Sequence, residues 1–200
     1  MENKILNLKK YGYIKDEHLL NLNIELLKAK DMETFLHSLR VARYSELIAI
    51  EMGYDKVFTD GIYISGVFHD IGKLLVPKYI LTNQDSLTKR EREIINRHAY
   101  DSYDISVNFI SEYLSKAVLE HHERLNGLGY PFNEKFITIA GQIVAVADTF
   151  DAMTSQRSYQ KSMDFKDAIF SLEKMANKNV YNKEVVLILK NIILDKGEVW

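Results

Sequence analysis

The 200-residue sequence contains no cysteine, only two prolines and only nine glycines. Without thiolates, disulfide bonds and cysteine-ligated metal sites are excluded, which fits a reducing compartment. The formal net charge of −2 argues against a broadly basic surface for long nucleic acids. No apolar run approaches the roughly 18 residues that a membrane-spanning helix needs, and the polar start, residues 1–15, lacks a signal-peptide core. We therefore expect a cytoplasmic protein with no membrane span.

Apolar residues recur at helical rather than alternating spacing almost everywhere, which predicts an all-α fold. Helices are expected at about residues 16–29, from Asp31 to Gly53, at 56–69, from a capping box at Thr88 through His98, from Ser111 or Glu112 to His122, from Thr138 to Ser155, and after Asp164 and Asn182. The first of these helices precedes the functional motifs. We therefore divide the chain into an N-terminal helical extension, residues 1–30, and a main domain, residues 31–200.

The segment Phe68–Lys73 is the centre of the functional pattern. It places an imidazole and a carboxylate, His69 and Asp70, on consecutive residues of an otherwise apolar stretch. Burying these two groups without partners would cost several kcal/mol, so a metal ion or another ionised group must meet them.

Candidate metal ligands are spread along the chain and comprise five of its six histidines and three acids: His37, His69, His98, His121, His122, Glu33, Asp70 and Asp148. Nitrogen and oxygen donors without thiolate suit iron, manganese, zinc or nickel. Their number exceeds the three or four protein ligands of a single catalytic zinc, so two or three ions are predicted. Taken alone, each histidine would more often be structural, and Glu33 could simply oppose the helix dipole in a first turn. His18 is expected at the surface.

The order His37…His69-Asp70…Asp148 resembles the HD superfamily of metal-dependent phosphohydrolases. Further motifs resemble its HD-GYP branch: His98, the pair His121-His122, the segment Glu123–Pro131, and the segment Ala147–Ser155 followed by Arg157 and Tyr159. The resemblance covers roughly residues 33 to 181. It implies an HD-domain helical bundle with the additional helices of this branch. It also implies a phosphodiesterase that opens a cyclic dinucleotide, chiefly cyclic di-GMP, to the linear dinucleotide or onward to GMP.

The resemblance also implies roles for individual residues. Asp70 would bridge two ions and act in catalysis, with His37, His69 and Asp148 holding one ion and the other three histidines holding the second. Iron or manganese is the expected metal, and Glu33 decides whether there is a third ion. Substrate contacts are implied for Lys73, which also has a catalytic role at the scissile phosphate, and for Arg124, Tyr130, Arg157 and Gln160. A diguanylate cyclase, a regulatory protein or a second copy of the chain is the implied protein partner.

Three departures from the family pattern affect the substrate contacts rather than the metal ligands. Asn126 stands where the family has aspartate, residues 132–135 replace a Gly-Leu segment, and Gln160 replaces a cation. Two alternatives therefore stay open. The chain could be another HD-type phosphohydrolase that acts on a nucleotide monophosphate or polyphosphate. It could also be a slow or inactive module that binds a cyclic dinucleotide or a protein partner.

Overall fold

The structure, a computed structural model, describes residues 1–81, 83, 86–155 and 162–196. Over these ranges the chain is built from helices, and its only β pairing is an isolated bridge between Ile14 and Ile110. The helices are α1 (Glu2–Lys10), α2 (Glu17–Lys30), α3 (Met32–Glu51), α4 (Lys56–Phe68), a 3₁₀ helix (Ile71–Leu75), α5 (Lys78–Leu81), α6 (Lys89–Asn96), α7 (His98–Ser106), α8 (Glu112–Glu120), α9 (Ile139–Thr154), α10 (Phe165–Asn177) and α11 (Lys183–Lys196). The predicted all-α fold is confirmed.

The predicted capping residues stand at the starts of these helices. Side chains that accept a backbone N–H bond in the first turn are those of Asp16, Asp31, Thr88, Ser111, Thr138, Asp164 and Asn182. At Thr88 the bond is reciprocated by Glu91, which completes the capping box. These side chains satisfy N–H groups that have no partner within the helix, so the local sequence fixes where most helices begin.

His98 differs from the expectation, because the charged helix that begins after Thr88 does not include it. Helix α6 ends at Asn96, Arg97 forms the junction, and His98 opens a separate helix, α7. Helix α6 has no buried residue, whereas α7 packs against the 3₁₀ helix and α8. The break lets α7 follow the core while α6 stays at the surface.

The 3₁₀ helix and α7 approach each other closely at Gly72. The backbone N–H of Gly72 donates to the Ser102 hydroxyl at 2.8 Å. A Cβ atom at Gly72 would lie 2.3 Å from the His98 carbonyl oxygen and 2.6 Å from the Ser102 nitrogen. Only glycine fits this contact. The contact fixes Asp70, two residues before Gly72, relative to His98.

Helix α1 lies in residues 1–15, where no helix is predicted above. Its Ile5 and Leu8 are buried in the same apolar cluster as Val67 and Phe68 of α4. Helix α2 adds Leu20, Ile24 and Leu27 to that cluster. The contacts therefore make residues 1–30 part of the common core, and the boundary at residue 30 stays a prediction from the sequence.

A second apolar cluster lies between α3, α9, α10 and α11. Helix α3 borders both clusters and packs along α4 and α9. At the crossing of α3 and α4, a Cβ atom on Gly66 would lie 2.6 Å from the Ala42 Cα, so these helices touch backbone to backbone. This packing brings His37 of α3, His69 at the end of α4 and Asp148 of α9 to one place. No helix in the described ranges has the length and apolarity that crossing a bilayer requires.

Candidate metal centre

The first group of candidate ligands consists of His37, His69, Asp70 and Asp148. One ligand atom from each of His37, His69 and Asp70 lies within 4.8 Å of the others. Asp148 faces the same place, with its Oδ1 3.1 Å from His37 Nε2 and 3.7 Å from His69 Nε2. All four side chains are buried. The structure thus brings together the residues that are predicted to hold one ion.

The second group consists of His98, His121 and His122. His98 Nε2 lies 3.3 Å from His121 Nε2 and 3.2 Å from His122 Nε2. His98 and His121 are buried, while His122 is partly exposed. These three residues come from the start of α7 and the end of α8, and they match the predicted second group.

Asp70 lies between the two groups. Its Oδ2 is 3.3 Å from His69 Nε2 and 3.6 Å from His37 Nε2. Its Oδ1 is 3.2 Å from His98 Nε2, in the other group. Each carboxylate oxygen therefore faces a different set of imidazoles, as the predicted bridging role requires.

Outward hydrogen bonds set the orientation of four of the imidazole rings. The Nδ1–H groups of three of them donate to the backbone carbonyl three residues earlier: His69 to Gly66 at 2.8 Å, His98 to Ile95 at 2.5 Å and His121 to Val118 at 2.5 Å. His37 Nδ1–H donates to Asp151 Oδ2 at 2.7 Å. A ring that donates from Nδ1 keeps the lone pair of Nε2 for an ion. The Nε2 atoms of these rings therefore face the other candidate ligand atoms, where each can bind an ion once it carries no proton.

Asp151 lies within the motif Ala147–Ser155 and has no predicted role of its own. Besides accepting from His37, its carboxylate accepts from Arg40 Nε at 2.7 Å and from Arg40 Nη2 at 3.0 Å. It is almost completely buried. Its spacing of three residues from Asp148 places both acids on one face of α9, which is the signal that could have identified it.

The arrangement of donors fits bound cations. His69 Nε2 is buried and has no hydrogen-bond partner. In the second group, His98 and His121 both donate from Nδ1, so their Nε2 lone pairs face each other at 3.3 Å, which is unfavourable unless a cation lies between them. Burial lowers the pKa of His121 well below the ordinary value of histidine, which disfavours a second proton on that ring.

Opposite charge dominates the first group. Burial acts to lower the pKa of His69, but the carboxylates of Asp70 and Asp148 outweigh burial and raise that pKa to about 10. Burial acts to raise the carboxyl pKa values of Asp70 and Asp148. The Lys73 ammonium beside Asp70, and the His37 and His69 rings beside Asp148, instead hold both carboxyl pKa values well below the usual range. This negative pocket attracts cations.

Lys73 lies at the edge of the centre. Its Nζ is 2.5 Å from Asp70 Oδ2, and its side chain is 23% exposed. The ammonium group is therefore paired with the carboxylate that is predicted to bridge the ions, and it is partly open to solvent.

Tyr130 and Arg124 both contact the second group. The ring of Tyr130 stacks on His122 with centroids 4.5 Å apart and planes 28° apart. Arg124 Nη1 donates to the backbone oxygens of His121 at 2.9 Å and Glu123 at 2.7 Å. Its guanidinium also lies over the Tyr181 ring, 4.9 Å from the centroid. These contacts give Arg124 a structural role at the end of α8, and its substrate contact stays a prediction.

The other predicted site residues are not brought into the centre. Glu33 is exposed in the first turn of α3 and belongs to neither group of converging ligand atoms found in the described ranges. Its ligand role, and with it the third ion, stays a prediction. Arg157 and Gln160 lie outside the residues that the structure describes.

Two of the departures from the family pattern, Asn126 and Asn133, suit the backbone conformations that they adopt. Asn126 Oδ1 accepts from the Leu128 N–H at 3.0 Å, which is a turn that asparagine forms as well as aspartate does. Asn133 has φ of +59°, a conformation that asparagine tolerates better than most residues with a side chain.

Comparison with known protein families shows a match to the model of the HD domain family over residues 17–185. A curated relative is the cyclic di-GMP phosphodiesterase of Thermotoga maritima, which is 40% identical over 166 residues, or 80% of this chain and 45% of the relative. Another is the 3'3'-cGAMP-specific phosphodiesterase 1 of Vibrio cholerae, 35% identical over 151 residues, or 74% of this chain and 35% of the relative. The chain thus spans less than half the length of either relative.

A solved structure with a similar fold is the HD domain of the Listeria monocytogenes phosphodiesterase PgpH in complex with cyclic-di-AMP. It superimposes with a TM-score of 0.68 over 86% of this chain and 94% of that domain, at 20% sequence identity. At this identity the similarity supports the fold alone.

Proposed function

Because the chain belongs to the HD domain family, in the HD-GYP branch that its motifs resemble, we propose that it is a metal-dependent phosphodiesterase. Its substrate is a cyclic dinucleotide, with cyclic di-GMP as the first candidate. The reaction opens one phosphodiester bond to give the linear dinucleotide. The observation that carries this proposal is the position of Asp70, whose two oxygens each face a different group of imidazoles.

The two groups of candidate ligands would hold at least two ions. His37, His69, Asp70 and Asp148 would hold one, and Asp70 with His98, His121 and His122 would hold the other. When bound, such ions lower the pKa of a coordinated water and neutralise phosphate oxygens, the two requirements for attacking an anionic diester. Imidazole and carboxylate donors without thiolate suit iron, manganese, zinc or nickel, and the resemblance to the HD-GYP branch favours iron or manganese among these.

Lys73 supplies a positive charge of the chain's own. Its ammonium is paired with Asp70 Oδ2 at 2.5 Å, and its side chain is partly exposed. A small rotation of this flexible side chain would place it against a phosphate oxygen, where it offsets the negative charge that develops during cleavage. Lys73 is therefore assigned to catalysis rather than to metal binding.

Aromatic side chains beside the centre suit a substrate with purine bases. Tyr130 lies on His122, and Tyr100 contacts Phe132 edge-on with centroids 6.3 Å apart. Tyr100 is 41% exposed and Phe132 is 55% exposed, so both offer ring surface to solvent. Stacking of a base on an aromatic ring contributes roughly 1–3 kcal/mol. The names of the relatives point to cyclic di-GMP and 3'3'-cGAMP as the first compounds to test.

The test is a product assay with the chain reconstituted anaerobically with iron or with manganese. Cyclic di-GMP, 3'3'-cGAMP and cyclic-di-AMP are compared with nucleotide monophosphates and triphosphates. We expect linear dinucleotide from cyclic di-GMP, and at least a thousandfold lower kcat/KM in Asp70→Asn, or about 4 kcal/mol of transition-state stabilisation. Asp104→Asn, which changes an exposed acid on α7, is the matched control and should stay active.

Each alternative function has its own outcome in this assay. Turnover of a nucleotide monophosphate or polyphosphate, with none of the cyclic compounds, would identify another type of HD phosphohydrolase. Tight binding of a cyclic dinucleotide with no product under any metal would identify a binding module, for which a diguanylate cyclase or a regulatory protein is the proposed partner. A second copy of the chain is the other proposed partner, and sedimentation would detect it.

A further inference from the structure

The loop that follows α8, residues 126–137, folds back onto the end of that helix. At Gly129 the two backbones touch, since a Cβ atom there would lie 2.5 Å from the His122 oxygen, the Glu123 Cα and the Arg124 nitrogen. The next residue, Tyr130, donates its backbone N–H to the His122 oxygen at 3.1 Å. The loop is therefore seated directly on the backbone of the second ligand group.

Glu123 holds the other side of this loop. It follows His122 in the chain, but its side chain turns away from the ligands and is 2% exposed. Its Oε1 accepts from the Phe132 N–H at 2.6 Å, and its Oε2 accepts from the Glu134 N–H at 2.9 Å. Bonds from N–H groups to an ionised, buried carboxylate are stronger than ordinary amide bonds. Both oxygens of one side chain thus fasten two alternate residues of the loop.

His122 depends on this loop in a way that the other ligand histidines do not. Among the described residues, His37, His69, His98 and His121 each have an Nδ1 bond to a carboxylate or a carbonyl. For His122 the structure instead gives a tilted contact with the His121 ring, with centroids 4.0 Å apart, the Nε2 contact with His98 at 3.2 Å, and, on the loop side, the stack on Tyr130, with centroids 4.5 Å apart. Tyr130 lies between the Gly129 contact and the Phe132 bond, so the loop's attachment determines where its ring stands.

We infer that Glu123 is a positioning residue: by holding the backbone of Phe132 and Glu134 it keeps Tyr130 stacked on His122, and so orients His122 toward the second ion. The carboxylate touches neither an ion nor a substrate. It acts through the loop, as partners behind a ligand commonly do, and loss of such partners typically lowers metal affinity about 10- to 100-fold. This inference rests on the metal centre proposed above.

The experiment compares Glu123→Gln with Glu134→Gln. The first variant keeps the shape of the side chain but replaces one acceptor oxygen by an NH₂ group, which cannot accept from a backbone N–H. The second removes a similar charge from an exposed side chain and leaves its backbone N–H in place. Hydrogen–deuterium exchange of the amides of Phe132 and Glu134 is measured in the metal-free chain, and Mn²⁺ alone is then titrated against a competing chelator.

We expect at least one of these two amides to exchange at least tenfold faster in Glu123→Gln, and this variant to bind its second equivalent of Mn²⁺ about tenfold more weakly. Glu134→Gln should change neither quantity. Tyr130→Ala, which removes the stack without touching Glu123, should weaken the second equivalent to a similar extent. This variant also tests the inference if Glu123→Gln fails to fold.

Any of three results would overturn the inference. Unchanged exchange in Glu123→Gln would mean that the carboxylate does not hold the loop. Faster exchange with unchanged Mn²⁺ affinity, or unchanged affinity in Tyr130→Ala, would mean that the loop does not orient His122. Neither measurement uses a substrate, so a failure of the proposed hydrolysis and a failure of this inference are separately visible.

Discussion

Replacing Asp151 by asparagine should weaken metal binding in the first group without changing any ligand. The Asp151 carboxylate accepts the Nδ1–H of His37 at 2.7 Å, which keeps His37 Nε2 directed at Asp70 and Asp148. A carboxylate behind a ligand histidine also raises the basicity of the ring. An amide lacks the charge, and its NH₂ group can face the His37 N–H. We expect the affinity for the first ion to fall 10- to 100-fold, or about 1.4–2.7 kcal/mol.

The same substitution should also lower the free energy of unfolding. Asp151 is 1% exposed and accepts two bonds from Arg40, at 2.7 and 3.0 Å. Bonds to a buried charge contribute roughly 1.5–3 kcal/mol each, and the asparagine retains part of that interaction, so a loss of about 2–3 kcal/mol is expected. For a chain of this size that is a decrease of roughly 5–10 °C in Tm.

Arg40→Gln separates these two effects. It removes the ion pair with Asp151 but leaves the bond between Asp151 and His37, so it should destabilise the fold and change metal affinity much less. Affinity is measured by competition with a chelator, and stability by thermal unfolding of the metal-free chain. Equal metal affinity in Asp151→Asn and the unaltered chain would refute the orienting role. Equal losses of affinity in Asp151→Asn and Arg40→Gln would mean that general destabilisation is responsible.

Three further predictions follow from the same structure. Protein purified without chelators should carry at least two equivalents of transition metal by elemental analysis. Glu33→Gln should lower that number only if a third ion exists. One equivalent or fewer after anaerobic reconstitution would contradict the two-ion centre. Lys73→Ala should retain its metal and lose at least a hundredfold in kcat, so full activity would disprove its role. Asp60→Asn should cost about 2 kcal/mol of stability at pH 7, because the buried carboxylate accepts from Lys56 and from the Lys4 and Asn7 side chains of α1. Burial acts to raise the pKa of Asp60, but these partners lower the pKa below its ordinary value of 3.8. The stabilisation from Asp60 is therefore fully present above pH 3.8 and is lost as the pH falls through the lowered pKa. Acid titration of the stability of the unaltered chain and of Asp60→Asn would measure this loss.

Several of the candidate ligands could be predicted from the sequence because they are ionisable residues beside or within segments that pack into the core. His69 and Asp70 follow the apolar helix α4, and Asp148 interrupts the apolar run of α9. The starts of the helices could also be predicted, since a capping side chain bonds to a backbone N–H only two or three residues away. Both kinds of signal are local, so neither requires knowledge of how the helices pack.

Two features of the fold that the sequence did not predict, helix α1 and the break at Arg97, depend on contacts between distant parts of the chain. Helix α1 is polar on most of its surface and is held by two buried residues, Ile5 and Leu8, and by the polar contacts to Asp60. The break at Arg97 follows from what α6 and α7 pack against, and it has no proline or glycine to mark it. In both cases tertiary packing, rather than local propensity, decides where the helix lies.

The same distinction divides the residues that orient the ligands. His69, His98 and His121 each donate to the carbonyl three residues before them, so a single helical turn is enough to fix their rings. His37 is instead oriented by Asp151, 114 residues away, and His122 by a loop that Glu123 fastens. Each ligand group thus contains one imidazole whose direction is set by tertiary structure. A change in how α3 meets α9, or in how the loop is seated on α8, would therefore alter metal affinity in one group while every ligand is still present. Preservation of the ligand residues alone is for that reason insufficient to establish that a related sequence binds both ions.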